Sequence, residues 1–456
     1  MEWKKLLSDK ILGNETNKNY KIIDGRSQFH RDFDRIVFCS AFRRLQDKTQ
    51  VFPLPENDFV HTRLTHSLEV SCVGRSLGNL IGKKILDRHK ELKKDYTNFH
   101  LGEIIAAACL AHDIGNPPFG HSGEDAIAEY FKRGNGKQFE KLLNSKKCWN
   151  DLVKFEGNAQ GFRIITKLQN PNIRGGLRLT YATLGAFTKY PKESGSPIKG
   201  FTKPLKGKFY KKFGFFQSEK ELFKEVAKET GLIKKRIKDI DWWSRHPLSY
   251  LVEAADDICY RIMDLEDGFR LGLLSFKETE GLLLPLIKNE KLKGYGERDE
   301  NDKIGYLRAK SISCIVQQLA TVFVDEENNI LSDNFENDLM SVIPAAKALV
   351  NIKDISVNKI YSYRSVVERE IEGYEVLGGL LDAFINAANE AAEGTASFKN
   401  TNLLKLIPKQ FLQNKGRPND DLYIRLLKIT DFVSGMTDSY AVSLFRKIKG
   451  ISLPGR

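Results

Sequence analysis

The sequence predicts an all-α protein with at most a minor β-hairpin. Apolar residues recur at helical spacing through Leu64, Leu68, Val73 and Leu77, and again through Leu251, Ala255, Ile258, Ile262 and Leu265. No stretch sustains the alternation of a half-buried strand, and no solenoid period is found. At 456 residues the chain can bury a large core, with length enough for two or three domains.

Between Asp24 and Gln50 arginines alternate with aromatic residues, and Phe33, Ile36, Val37 and Phe42 are expected on one helix face. The arginines are free for carboxylates or phosphates, or for ordinary surface ion pairs. Val51-Phe-Pro-Leu-Pro reads as a turn. The periodic stretch that follows from Phe59 places His66 inside a long helix.

Chemistry is densest in Leu110-Ala-His-Asp-Ile-Gly-Asn-Pro-Pro-Phe-Gly-His-Ser-Gly-Glu124. The small, apolar run Gly102 to Ala111 is helix-forming and puts His112 and Asp113 at the end of a buried helix. Gly115 is expected in the left-handed conformation that ends it, and Pro117-Pro118 cannot continue it. Ser122 reads as the N-cap of the next helix, with Asp125 in its first turn.

Short helices are expected over Phe155 to Arg163 and over Arg178 to Tyr190. Residues 191–217 then form the most loop-like segment, in which Lys199, Lys203, Lys206, Lys208, Lys211 and Lys212 alternate with Phe201, Phe209, Tyr210, Phe213, Phe215 and Phe216. Such interleaving suits single-stranded nucleic acid or a polyphosphate, or else a basic loop whose aromatics pack on the core.

In Tyr250 to Asp267, Asp256, Tyr260 and Asp264 recur every four residues and so share one stripe of a helix. Carboxylates on a partly apolar helix need partners, which a metal or ligand supplies. Further helices are expected over Ser311 to Phe323, Leu339 to Leu349, Ser365 to Glu393 and Asp421 to Arg446, with Asp325 to Glu336 as an exposed acidic connection.

The formal charge of +13, from 72 Lys and Arg against 59 Asp and Glu, favours anionic partners without naming one. Six cysteines occur singly, with no CxxC pair, as expected of reduced thiols in a cytoplasmic protein. No signal-peptide core or membrane-spanning run is seen.

His66, His112, Asp113 and Asp256 come from three helices and offer two imidazoles and two carboxylates. That N/O set suits a divalent metal, Mn or Mg foremost, with Fe, Ni or Zn as alternatives. His121 and Glu124, three residues apart, fit acid/base work or water positioning at the same cavity. The residues leave Asp256 and Asp257 open as the last ligand.

Assembled in this way, the chain resembles the HD-domain superfamily of metal-dependent phosphohydrolases, whose pattern is a His, a His-Asp pair and a distant Asp. More closely it resembles the bacterial deoxyguanosine triphosphate triphosphohydrolases. The motifs that carry this are Arg43-Arg-Leu-Gln-Asp-Lys-Thr-Gln-Val-Phe-Pro53, Arg63-Leu-Thr-His-Ser-Leu-Glu-Val70, the stretch from Ala111 to Glu124, Phe155-Glu-Gly-Asn-Ala-Gln160, Glu253-Ala-Ala-Asp-Asp-Ile258 and Ser434-Gly-Met-Thr-Asp438.

The resemblance implies an HD-type helical core with additional C-terminal helices, and hydrolysis of a dNTP, dGTP foremost, to deoxynucleoside and inorganic triphosphate by water attack at the α-phosphorus. It implies His66, His112, Asp113 and Asp256 as metal ligands, Asp256 being chosen because the superfamily's last ligand follows a small residue. His121 and Glu124 become the catalytic pair. Gln50 and Val51 match positions at the deoxyribose or base, Arg63 a phosphate contact, Tyr260 and Asp264 the sugar-recognising pair, and Lys189, Tyr190 and Lys212 positions near the triphosphate. A Tyr260 ring under the sugar excludes a 2′-hydroxyl, and Asp264 accepts from the 3′-hydroxyl.

The expected organisation is a catalytic core over 1–275, including the basic loop 191–217, and a helical region over 276–456 that packs on it. A homo-oligomer, hexamer or tetramer, is implied, with single-stranded DNA or a nucleotide as effector. Two rival readings are an HD phosphohydrolase acting on a nucleoside monophosphate or cyclic dinucleotide, and a nucleic-acid-binding regulator with a vestigial metal site.

Overall fold

The computed structural model describes residues 1–14, 25–51, 61–195, 212–237, 240–287, 291–413 and 416–451. Most of the expected Val51 turn and most of the basic loop, residues 196–211 with Lys199 to Lys211, lie outside the described residues.

Helix α1 (Gln28–Phe38) is N-capped by Ser27, and ends at the extended Cys39. Phe42 therefore belongs to a separate turn instead of continuing the face of Phe33, Ile36 and Val37. Helix α2 (Arg63–Arg88) starts where Thr62 and Thr65 exchange side-chain and backbone hydrogen bonds in a capping box.

Helix α3 (Asn98–Ala111) is buried from Leu101 to Ala111 apart from Glu103. A helix apolar on nearly all sides belongs at the centre of the fold. It packs along α2 so closely that a Cβ on Gly78 would lie 2.7 Å from the Gly102 Cα.

Helix α4 (Gly120–Lys132) begins two residues before the expected start at Ser122. The left-handed residues here are Phe119 and Gly120, with φ of 64° and 60°, and not Gly115. Gly115 is needed for another reason: a Cβ there would lie 2.1 Å from both the Gly157 carbonyl and the Gly161 nitrogen. It lets the chain after His112-Asp113 press onto α5 (Gly157–Arg163).

After α6 (Tyr181–Phe187) a small hairpin pairs β1 (Lys234–Ile237) with β2 (Ile240–Trp243), Lys234 opposite Trp243. Helix α7 (Pro247–Arg270) starts with proline in its first turn and His246 as N-cap, and packs on α2 and α3. These three helices hold the donor residues.

Helix α8 (Glu300–Asp325) covers the expected Ser311 to Phe323 and extends beyond it. The connection expected to be exposed after Asp325 contains a short helix, Glu327–Leu331. Its Glu327 is buried and accepts from Trp3, Arg88 and His89. The expected Leu339 to Leu349 helix divides around Pro344 into a 3₁₀ turn and α9 (Ala346–Ile355).

Helix α10 (Arg364–Glu393) runs as expected. The Asp421 to Arg446 segment is instead two helices, α11 (Leu422–Ser434) and α12 (Asp438–Lys449), parted at Gly435-Met436-Thr437.

Two apolar clusters result. One gathers α1, α2, α3, α7, α8 and α9, and the other packs α4 against α10, α11 and α12. Arg163 of α5 joins the parts: fully buried, it pairs with Glu219 at 2.5 Å and with Asp431 of α11 at 2.8 Å.

Candidate active site

α2, α3 and α7 bring His66, His112 and Asp256 together, with one donor atom from each within 4.8 Å of the others. His66 Nε2 and His112 Nε2 lie 3.2 and 3.3 Å from Asp256 Oδ1. The buried His112 Nδ1 sits 2.7 Å from the Cys109 carbonyl, which fixes that nitrogen as the proton donor. Its Nε2 is buried and without a hydrogen-bond partner among the described residues. An orphaned imidazole nitrogen beside a second imidazole and a carboxylate fits a divalent cation.

Asp256 faces this cluster, while its neighbour Asp257 reaches Arg261 at 3.3 Å. Burial alone would raise the Asp256 carboxyl, yet the Lys189 ammonium at 2.6 Å and His112 hold it well below its ordinary value. Lys189 is raised in turn, since the charge of Asp256 overcomes the cost of burying its ammonium.

Asp113 is placed differently from the other three. Its Oδ2 accepts from Arg63 at 2.6 Å, and its Oδ1 accepts from Asn116 at 2.7 Å and stands 3.3 Å from His112 Nε2. Despite burial, His112, Arg63 and His66 hold its carboxyl far below the ordinary value. Arg63 is thus engaged with Asp113, on the rim of the cluster, at the place where a phosphate contact was expected.

His121 and Glu124 form a pair, with His121 Nδ1 at 2.8 Å from Glu124 Oε2. The other Glu124 oxygen accepts from the Gly157 amide at 2.6 Å, so α5 locks the carboxylate in place. Burial would raise Glu124, but the His121 bond and the charge of Lys212 leave it lowered. The His121 ring is 76% exposed, so Nε2 is open to proton exchange with a molecule bound beside it.

Lys212 Nζ lies 3.3 Å from Glu156 Oε1. Its ammonium is raised, because Glu124 and Glu156 outweigh burial. Tyr190 is buried, which pushes its phenol up to about 12. Of the aromatics expected to stack on nucleic acid, Phe213, Phe215 and Phe216 are buried among Phe155, Phe162, Phe223 and Trp243, and so present no stacking surface.

Further along α7, the half-exposed Tyr260 ring stacks on Tyr361 at 5.5 Å. Asp264 Oδ2 accepts from the Tyr361 hydroxyl at 2.6 Å, and burial pushes the Asp264 carboxyl up to about 8. Sequence reasoning missed Tyr361: it lies in Tyr361-Ser-Tyr363, and no spacing ties that segment to α7. Gln50 has its Oε1 buried and without a partner among the described residues, and Val51 is half-buried beside it.

Residues 63–170 match the model of the HD domain, and residues 342–447 match that of a phosphohydrolase-associated domain. A deoxyguanosinetriphosphate triphosphohydrolase-like protein of Synechocystis is 45% identical, aligned over 99% of this chain and 100% of its own length. One from Pseudomonas aeruginosa is 43% identical over 100% of both chains. A deoxyguanosinetriphosphate triphosphohydrolase of Yersinia enterocolitica is 33% identical over 92% of this chain and 93% of its own.

Proposed function

Because this chain belongs to the HD-domain family of deoxyguanosinetriphosphate triphosphohydrolases and the proteins like them, we propose that it hydrolyses a deoxynucleoside triphosphate, dGTP foremost, to deoxynucleoside and inorganic triphosphate. Membership makes it an HD-type phosphohydrolase; substrate and roles are our reading. The observation that carries it is the orphaned His112 Nε2 within the His66, His112 and Asp256 cluster, beside an acid/base pair.

His66, His112, Asp113 and Asp256 would hold the cation, with Mn²⁺ or Mg²⁺ favoured by the mixed N/O donors. When bound, a divalent cation polarises a phosphoryl oxygen and acidifies water. His121 Nε2 then passes a proton between water and the departing sugar oxygen, while Glu124 holds Nδ1 and steadies the imidazolium. Lys189 and Lys212 attract the triphosphate, and Arg63 reaches it from its place beside Asp113. The Tyr260 ring floors the sugar subsite, and Asp264 accepts from the 3′-hydroxyl. Gln50 and Val51 border the sugar and base.

Among the described residues no helix is long and apolar enough to cross a membrane.

The test is a product assay by anion exchange, with each of the four dNTPs and GTP in Mg²⁺ or Mn²⁺. Intact triphosphate from a dNTP supports the reading, and the ranking of bases decides the substrate. Release of orthophosphate or of a nucleoside monophosphate would instead point to another HD-type reaction.

A further inference from the structure

The break between α11 and α12, Ser434-Gly-Met-Thr-Asp438, lies outside the donor cluster, yet it grips two segments that enter the site. Asp438 is completely buried. Its Oδ2 accepts from the Thr49 amide at 3.1 Å and its Oδ1 from the Phe119 amide at 3.0 Å. Thr49 precedes Gln50, and Phe119 stands two residues before His121. The buried Lys48 completes the link, donating to the Asn116 carbonyl at 2.5 Å and the Ser434 carbonyl at 3.3 Å.

Asp438 is not spent on its own helix. Thr437 is the N-cap of α12, accepting from the Tyr440 amide, so both carboxylate oxygens serve other segments. One of those segments is strained. Phe119 is a bulky residue at φ 64°, a conformation that persists only where its surroundings over-determine it. The surroundings are C-terminal: the Asp438 carboxylate, the Arg369 guanidinium 5.0 Å over the Phe119 ring, and Gly373, where a Cβ would come within 3.0 Å of that ring.

We propose that Asp438 and Lys48 are positioning residues of the hydrolytic site, bolting the Thr49-Gln50 and Phe119-Gly120-His121 segments together so that Gln50 and His121 meet one substrate. The inference rests on the reading of His121 given under the proposed function. A hydrogen-bonded carboxylate that sets two backbone amides at once fixes their separation, which a neutral amide cannot do, because its NH₂ would face an N–H.

The experiment compares the full-length wild type with Asp438→Asn, Asp438→Glu and Asp151→Asn. Asp151 is a buried carboxylate that accepts from Tyr423 of α11 at 2.5 Å and from Ser194 and Gln217, none of them assigned to the site, and serves as the structural control. Triphosphate release from dGTP with Mn²⁺ gives kcat and KM, thermal denaturation gives stability, and NMR of labelled histidine follows the His121 ring, identified by its loss in His121→Gln.

Asp438→Asn is expected to lower kcat about tenfold to a hundredfold, as a misplaced reacting group does, and to shift the resonances of the His121 ring. Asp438→Glu should recover part of kcat. Asp151→Asn should lower the melting temperature with kcat and the His121 ring resonances unchanged. Equal kcat in Asp438→Asn and wild type, or equal losses in Asp438→Asn and Asp151→Asn, would overturn the proposal. If Asp438→Asn does not fold, Asp438→Glu decides: an altered kcat in a folded protein supports positioning, and an unaltered one overturns it. If the wild type releases no triphosphate from any dNTP, the functional reading fails by itself. The His121 ring resonances then judge the bolt: shifted by Asp438→Asn and not by Asp151→Asn, it stands; unshifted by Asp438→Asn, or shifted by both, it falls.

Discussion

Tyr361 donates its hydroxyl to Asp264 Oδ2 at 2.6 Å across 97 residues of sequence. The same ring stacks on Tyr260, so a residue outside the core helices contacts both members of the proposed sugar pair. Tyr361→Phe keeps the stack and removes the hydroxyl. It should cost about 1 kcal/mol in thermal or urea unfolding, the net value of such a bond. Its dGTP-to-GTP preference should fall as Asp264 loses its orientation; unchanged selectivity with unchanged stability would mean that the hydroxyl orients nothing.

His121 pairs with Glu124 outside the donor cluster. His121→Ala should therefore lower turnover about a hundredfold or more, the usual contribution of a general acid or base, while sparing bound metal. Elemental analysis checks the second half, and metal loss would place His121 among the ligands.

His112 is fixed by the Cys109 carbonyl and has its other nitrogen orphaned. His112→Gln should lose both metal and turnover. Chelation of the wild type should abolish turnover, with recovery on adding Mn²⁺; full activity in chelator would exclude a metal role.

His61 Nδ1 lies 2.7 Å from Asp267 and its Nε2 3.0 Å from Glu69. Burial opposes its charge, but bonds to Asp267 and Glu69 overcome this and raise it from 6.5 to about 10. The folded state thus binds the proton more tightly than the unfolded chain. The resulting stability is complete below pH 6.5 and is lost as pH rises towards about 10. His61→Gln should cost about 2 kcal/mol at pH 6 and progressively less towards pH 10, read by urea unfolding at each pH. A cost that does not vary with pH would rule out the charged pairing.

The motifs of the sequence single out His66, His112 and Asp256, and the structure brings their donor atoms together. Helical periodicity and the His-Asp motif are local signals, and both lie within single segments. The left-handed turn was harder to place. Glycine is the usual bearer of positive φ, so Gly115 was the natural choice, but close packing of α5 dictates that glycine and contacts from α10 and α12 dictate the strained Phe119. Glu327 lies in an acidic, Asn-rich stretch that reads as solvated, because its partners Trp3, Arg88 and His89 lie over two hundred residues away. Phe213, Phe215 and Phe216 read equally as a stacking surface or as core, and only burial distinguishes the two.

Arg163 has a consequence for how such proteins can be cut and recombined. Its guanidinium is buried with Glu219 and Asp431 as counter-ions, so a fragment ending before α11 would remove one of the two and open the pocket that buries it. The two segments matched by separate family models are thus joined by a buried ion pair. Chimaeras that exchange one segment between relatives should fold only when they carry this ionic triad across intact.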